Sequence, residues 1–182
     1  MATRADTLDA DVIVLGGGTA GATAAGLLAE ISDARVVLFE AGPDYGPLHA
    51  GGWPEDLLDA ATLAMVSHDW GYGGEVHGRR VDFNRAKVIG GCSAHNGGAA
   101  VKGSRLDYDG WAAAGNAGWT TEELEPLFDA AWERFCVRPV GFGELTPFQE
   151  ACTEGLVGAG IPTVEDFNDL DGNLGVAPFP IN

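Results

Sequence analysis

The residues from Arg85 to Gly98, R-A-K-V-I-G-G-C-S-A-H-N-G-G, carry the chemistry that most constrains this chain. Gly90 and Gly91 are followed by the small residues Cys92 and Ser93, which leaves backbone N–H groups open to an anionic or heteroaromatic molecule. His95 then arrives between Ala94 and Asn96, ahead of Gly97 and Gly98. A neutral imidazole nitrogen in such a place can act as a nucleophile. It can equally serve as a hydrogen-bonding group, and the residue types leave both roles open. His49, His68 and His77 have no comparable surroundings in the sequence and are expected to be solvated loop residues.

The elements that must position this segment begin upstream. Asp11-Val12-Ile13-Val14-Leu15 predicts a short buried parallel strand running into Gly16-Gly17-Gly18-Thr19-Ala20-Gly21. The pattern G-x-G-x-x-G is met by Gly16, Gly18 and Gly21. The first glycine permits the tight turn, the second lets a pyrophosphate approach, and the third lets the following helix, expected from Ala22 to Ile31, pack on the strand. A second strand, Arg35 to Phe39, ends in Glu40, about 20 residues past Gly21, where an acceptor for ribose hydroxyls belongs. Strand, glycines, helix, strand and acid in that order predict a dinucleotide-binding unit. NAD and FAD both present a pyrophosphate and an adenosine ribose, so this unit alone does not choose between them.

Beyond it, residues 42–84 read as mostly loop, with one helix from Glu55 to Met65 in which Leu57, Leu58, Ala61 and Met65 share a face. Thr120 and Glu123 form a capping-box pattern, and Leu124, Leu127, Phe128, Ala131 and Phe135 follow at helical spacing. Pro126 inside that run predicts a kink or a restart. Thr146, Pro147 and Gln149 start another helix, ended by Gly160-Ile161-Pro162. Trp111, Trp119 and Trp132 are expected in packing, and Glu165 and Asp166 in a loop with no acid–base role.

Composition excludes other classes. A net charge of −17 over 182 residues opposes nucleic acid and anionic membranes as partners. Cys92, Cys136 and Cys152 stand apart, with no C-x-x-C and no His/Cys cluster, so neither a disulfide framework nor a metal site is expected. The uncharged run from Val12 to Ala29 holds five glycines in the order of a nucleotide-binding turn, which argues against a membrane span. Residues 1–6 lack the charged-then-apolar layout of a secretory signal, and a cytoplasmic location is expected.

Taken together, the βαβ unit, Glu40-Ala41-Gly42-Pro43, His68-Asp69-Trp70, the Arg85–Gly98 segment and Asp107-Tyr108-Asp109-Gly110-Trp111 through Trp119 resemble the glucose–methanol–choline (GMC) flavoprotein oxidoreductases. The resemblance implies an α/β fold: an incomplete Rossmann-like FAD-binding domain over residues 1–104, then a helical connecting segment over 105–182 leading toward an absent substrate domain. It implies FAD as cofactor, held by Gly16, Gly18, Thr19, Ala20, Gly21, Glu40, Ala41, Trp70, Arg85, Val88, Gly90, Gly91, Cys92, Ser93, His95, Asn96, Gly97 and Ala99. His95 departs from the commonest form of the signature, where an aliphatic residue precedes the asparagine, and is similar to the choline oxidase branch, whose histidine carries the flavin covalently. The stretch between Phe135 and Thr146 is shorter than the family pattern. The implied reaction is oxidation of a small alcohol by hydride transfer to the flavin. Its catalytic base lies in the missing C-terminal region, so no residue here is assigned as catalytic. An oligomer is compatible with the resemblance. The competing readings are a stand-alone flavin-binding module, one chain of a split enzyme, and a nicotinamide-dependent dehydrogenase.

Overall fold

The computed structural model describes residues 8–59, 67–172 and 174–182. The chain divides into two compact units, Met1–Gly97 and Gly98–Asn182.

In the first unit, β1 (Val12–Leu15) pairs in parallel with β2 (Val36–Phe39), Val12 opposite Val36 and Leu15 opposite Phe39. A parallel pair needs a crossover, and α1 (Thr19–Ile31) supplies it. The helix begins three residues earlier than the sequence predicts, because Gly18 adopts an extended conformation that can cap it. Val14 faces α1, where the backbone of Gly21 lies close to its Cγ1. The opposite face is a correction to the expected buried strand: Ile13 is 59% and Leu15 81% exposed. Alternation along a strand puts these two residues on the side away from α1.

The described residues of 42–84 hold more regular structure than the loop expected from composition. After α2 (Glu55–Leu58) comes an antiparallel hairpin, β3 (Gly73–Val76) with β4 (Arg79–Asp82). His77 and Gly78 form its turn, both with positive φ (51° and 74°), the geometry that matches the twist of a two-residue hairpin. The helix predicted from Glu55 to Met65 is observed only to Leu58, with Asp59 already extended. Ala61 and Met65 lie outside the described residues.

The second unit contains α3 (Arg105–Ala113), α4 (Thr121–Arg134) and α5 (Pro147–Gly158). Each carries a reciprocal capping box: Ser104 with Asp107, Thr120 with Glu123, Thr146 with Gln149. Pro126 sits inside α4 without dividing it. Thr121, fully buried, donates both its N–H and its hydroxyl to Asp109 Oδ1 at 2.9 Å, tying α4 to α3. Tyr108, Trp111, Trp119, Phe128 and Trp132 form one aromatic cluster with mostly edge-on or tilted contacts, the packing role expected for the tryptophans. Buried Asn168 accepts from the Lys102 N–H at 2.6 Å and donates to the Ala100 carbonyl at 3.0 Å, which anchors the 165–172 loop. No helix among the described residues is long and apolar enough to cross a membrane.

Candidate functional site

The site is built where β1 turns into α1. Gly18 caps the helix without a side chain, and the first turn holds no acidic residue. The N–H groups of Thr19, Ala20 and Gly21 therefore stand at the positive end of a 13-residue helix with no side-chain acceptor at the cap. Gly16 holds φ at +96°, in open space. A Cβ on Gly21 would lie 1.9 Å from the Gly16 carbonyl oxygen, so the turn closes onto the helix only with glycine there.

Glu40, at the end of β2, accepts from the Gly17 N–H at 2.7 Å with one carboxylate oxygen and from the Gly42 N–H at 2.8 Å with the other. Two backbone donors fix the plane of the carboxylate. Each oxygen keeps a further lone pair for an incoming hydroxyl.

The second glycine segment docks directly onto the first. The Gly90 N–H donates to the Gly17 carbonyl at 2.7 Å, and Gly18 and Gly90 form a parallel bridge. Gly91, at φ +59°, comes so near that a Cβ would stand 2.7 Å from Gly18 Cα. The approach is secured from behind: Ile89 N–H donates to the Pro43 carbonyl at 3.0 Å, Val88 is fully buried, and a Cβ on Gly42 would meet the Lys87 carbonyl oxygen at 2.0 Å. Residues 91–94 then make a 3₁₀ turn, in which the Ser93 hydroxyl donates to the Gly90 carbonyl at 2.6 Å and the Cys92 sulfur accepts from the Ala86 N–H at 3.4 Å.

One wall comes from residues 68–70, which run antiparallel to 85–87. His68 carbonyl accepts from the Lys87 N–H at 2.5 Å, and the Trp70 N–H donates to the Arg85 carbonyl at 3.0 Å. The Lys87 ammonium lies 4.9 Å from the centre of the Trp70 ring, a cation–π contact, and Tyr72 stacks on the same indole. Asp69 accepts from the Arg85 N–H and the Asn84 amide, and the Arg85 N–H above all holds its carboxyl below the ordinary range.

The resulting cleft, about 530 Å³, is lined by Gly16, Gly18, Phe39, Glu40, Ala41, Trp70, Ala86 and Gly91. Phe39 and Ala86 are absent from the sequence-derived set. Both were adjacent to residues in it, Phe39 beside Glu40 and Ala86 beside Arg85. Of the remaining expected residues, Thr19 and Ala20 are exposed in the first turn of α1, and Gly21 packs against the Gly16 carbonyl. Arg85 is exposed and donates to the Asn84 carbonyl at 2.6 Å. Val88, Gly90, Cys92 and Ser93 build the floor and turn just described. His95 is half-buried at the end of the 3₁₀ turn, its N–H directed at the Cys92 carbonyl, and Asn96 and Gly97 follow it exposed. Ala99 belongs to the second unit, where it pairs with Ile181.

His68 corrects the expectation of a solvated loop residue. It is half-buried, its Nε2 lies 2.7 Å from the Tyr45 hydroxyl, and its Nδ1 lies 2.9 Å from the Ser67 hydroxyl. Tyr45 is 23 residues away in the chain, a separation no local pattern reports. His49 and His77 are exposed as expected.

Chemically, the arrangement offers helix N–H groups for phosphate, an oriented carboxylate for ribose hydroxyls and a flat aromatic wall. The comparisons with known proteins point the same way. The GMC oxidoreductase family model matches residues 10–180, running through the shortened stretch after Phe135. The oxygen-dependent choline dehydrogenase of Rhizobium johnstonii is 31% identical over 88% of this chain and 32% of its own length. Glucose dehydrogenase (FAD, quinone) of Drosophila pseudoobscura pseudoobscura is 33% identical over 72% of this chain and 21% of its own. The crystal structure of pyridoxine 4-oxidase from Mesorbium loti superposes with a TM-score of 0.80 at 28% identity, covering 96% of this chain and 36% of that one. The chain thus spans about a third or less of the length of these curated relatives. A match over residues 10–180, on a fold whose two glycine segments meet at one cleft, makes this chain a member of the GMC oxidoreductase family.

Proposed function

We propose that this chain forms the FAD-binding portion of an FAD-dependent oxidoreductase acting on CH–OH donors. The observation that carries the reading is the backbone contact between the two glycine segments, Gly90 N–H to Gly17 carbonyl and Gly91 against Gly18. A nicotinamide-binding βαβ unit has no need of the second segment. Here that segment forms part of the cleft that the first one opens.

The residues fit a dinucleotide. Gly16, Gly18 and Gly91 line the cleft with backbone, and the first turn of α1 offers N–H groups to a pyrophosphate. Glu40, already oriented by two backbone donors, has lone pairs left for ribose hydroxyls. Trp70 and Phe39 supply apolar walls. Bound FAD supplies a two-electron acceptor for the hydride that leaves an alcohol carbon. His95, placed four residues beyond the cleft-lining Gly91, is the residue for covalent attachment. The base that takes the hydroxyl proton and the alcohol pocket are assigned to further chain, in keeping with relatives roughly three times as long. Choline and pyridoxine, in the names of two relatives, are both alcohols, which supports the donor class.

A stand-alone module is the competing reading. The exposure of Ile13 and Leu15 speaks against it, because a finished parallel sheet is covered on both faces.

The test is the visible spectrum of the full-length protein before and after acid precipitation. Flavin absorbance that stays with the precipitate, and leaves it in His95→Ala, supports covalent FAD. Flavin in the supernatant keeps FAD and removes the covalent link. A flavin-free protein, or bound flavin that no alcohol in a broad panel reduces, overturns the proposal.

A further inference from the structure

Outside the cleft, one polar network in the first unit is not used by the reading above. Ser67 donates its hydroxyl proton to Asp56 Oδ2, His68 Nδ1 lies 2.9 Å from the Ser67 oxygen, and the Tyr45 hydroxyl lies 2.7 Å from His68 Nε2. All four residues are half-buried. Proton counting gives the network a direction. A carboxylate only accepts, so the single Ser67 proton is committed to Asp56. The Ser67 oxygen can then only accept from the imidazole, which places the ring proton on Nδ1. A neutral ring protonated on Nδ1 is an acceptor at Nε2, and the Tyr45 hydroxyl must donate to it. In the neutral ring every bond thus points the same way, from Tyr45 through His68 and Ser67 to Asp56.

His68 also stands at a backbone turning point. Its φ is +58°, a left-handed conformation uncommon for a residue with a side chain. Its carbonyl opens the pairing with residues 85–87 that carries Trp70 into the cleft wall. Tyr45 is braced in turn. Its ring packs 5.7 Å from that of Trp53, whose indole N–H donates to the Gly46 carbonyl at 2.8 Å.

We propose that Tyr45, His68, Ser67 and Asp56 form a directed hydrogen-bond relay that fixes a proton on His68 Nδ1, and that His68 so held is a positioning residue for the Trp70 wall. The second half rests on the FAD reading of the cleft; the first does not.

The experiment uses the full-length holoenzyme labelled with 15N-histidine, with the His68 resonances assigned by their loss in His68→Asn. The expected wild-type pattern is a protonated Nδ1 and an unprotonated Nε2. In Ser67→Ala the acceptor for Nδ1 is gone and the pattern reverses to a protonated Nε2 donating to Tyr45. Tyr45→Phe keeps the ring contacts and the wild-type tautomer, but weakens FAD binding by about five- to tenfold, the scale of one lost hydrogen-bond partner. His68→Asn tolerates the left-handed backbone, so it separates loss of the relay from loss of the turn. It is expected to fold with a near-normal melting temperature and to bind FAD as weakly as Tyr45→Phe. A protonated Nε2 in the wild type, or no reversal in Ser67→Ala, overturns the relay. Unchanged FAD affinity and flavin spectrum in Tyr45→Phe and His68→Asn overturn the positioning role. Failure of the wild type to bind FAD overturns the FAD reading and the positioning role with it, while the tautomer result is judged separately.

Discussion

The contact between Gly18 and Gly91 can be broken with one methyl group. In Gly91→Ala the new Cβ would stand 2.7 Å from Gly18 Cα and 3.6 Å from Thr19 N, both backbone atoms that no rotamer change can move away. Two penalties combine. Alanine at φ +59° costs about 1 kcal/mol, and forcing a methyl into a packed backbone contact costs about 1–3 kcal/mol more. A total of about 2–4 kcal/mol corresponds to a fall in melting temperature of roughly 5–15 °C for a chain of this size. The displaced atoms belong to the cap of α1, so FAD affinity falls with stability, by about tenfold for each 1.4 kcal/mol that reaches the cradle. Gly78→Ala, in the turn of the β3–β4 hairpin, is the control. Its φ is +74°, but nothing lies within 4 Å of the added Cβ, so it carries the conformational penalty without the clash and leaves flavin content unchanged. The measurement is flavin absorbance per protein, with thermal unfolding in parallel. Gly91→Ala with full flavin content and a wild-type melting temperature would refute the claim that the two glycine segments touch.

Glu40→Gln leaves one acceptor oxygen where two backbone N–H groups now have one each, so one donor faces an NH2 group. Loss of about 1.5–3 kcal/mol is expected for a charge-assisted bond, and FAD titration should show binding weakened by about ten- to a hundredfold; an affinity within about twofold of wild type contradicts the assignment of Glu40. Gly26→Ala, inside α1 with nothing near its added Cβ, should raise stability by about 0.5–1 kcal/mol, and a lower melting temperature would show that α1 is more crowded there than described. The second unit should be acid-labile. Asp107, Asp109, Glu123, Glu144 and Asp171 are all held below their ordinary values, by the Ser104, Thr121, Thr120, Gly141 and Arg105 donors respectively. Their unfolded forms bind protons first, so the stabilisation is complete above the ordinary values of 3.8 for Asp and 4.5 for Glu and is lost as pH falls through the lower folded ones. Urea midpoints that do not fall between about pH 5 and pH 3 would contradict this sign.

How much of this is legible without coordinates depends on how far each interaction reaches along the chain. The capping boxes at Thr120 and Thr146 are legible because the bonding partners are three residues apart, and the structure has both. The glycine turn and α1 are legible for a related reason: the turn demands glycine at a narrow, fixed spacing, and the structure has both turn and helix. The β3–β4 hairpin escapes because its strands alternate nothing apolar. Gly73-Gly74-Glu75-Val76 and Arg79-Arg80-Val81-Asp82 are mostly exposed, and the turn uses histidine at a positive φ, where asparagine or glycine is the usual signal. Tyr45 and His68 escape because 23 residues separate them and neither type demands the other.

The exposed face of β1 shows a different limit. Val12 to Leu15 has the composition of a strand buried on both sides, an expectation that the structure meets on one face. What it cannot contain is the identity of the covering layer. Val12 and Val14 alternate with the exposed pair, and Val14 meets α1 within the same βαβ unit; the cover for Ile13 and Leu15 is not supplied by the described residues of that unit. An apolar pattern therefore states a demand for burial, while the partner that meets it is a property of the rest of the fold. The cleft obeys the same logic in reverse. Its floor needs only backbone from two segments that each announce themselves by glycine, and the residues that line it all belong to the first unit. Any pocket that selects an alcohol needs side chains arranged by long-range packing, for which no spacing rule exists.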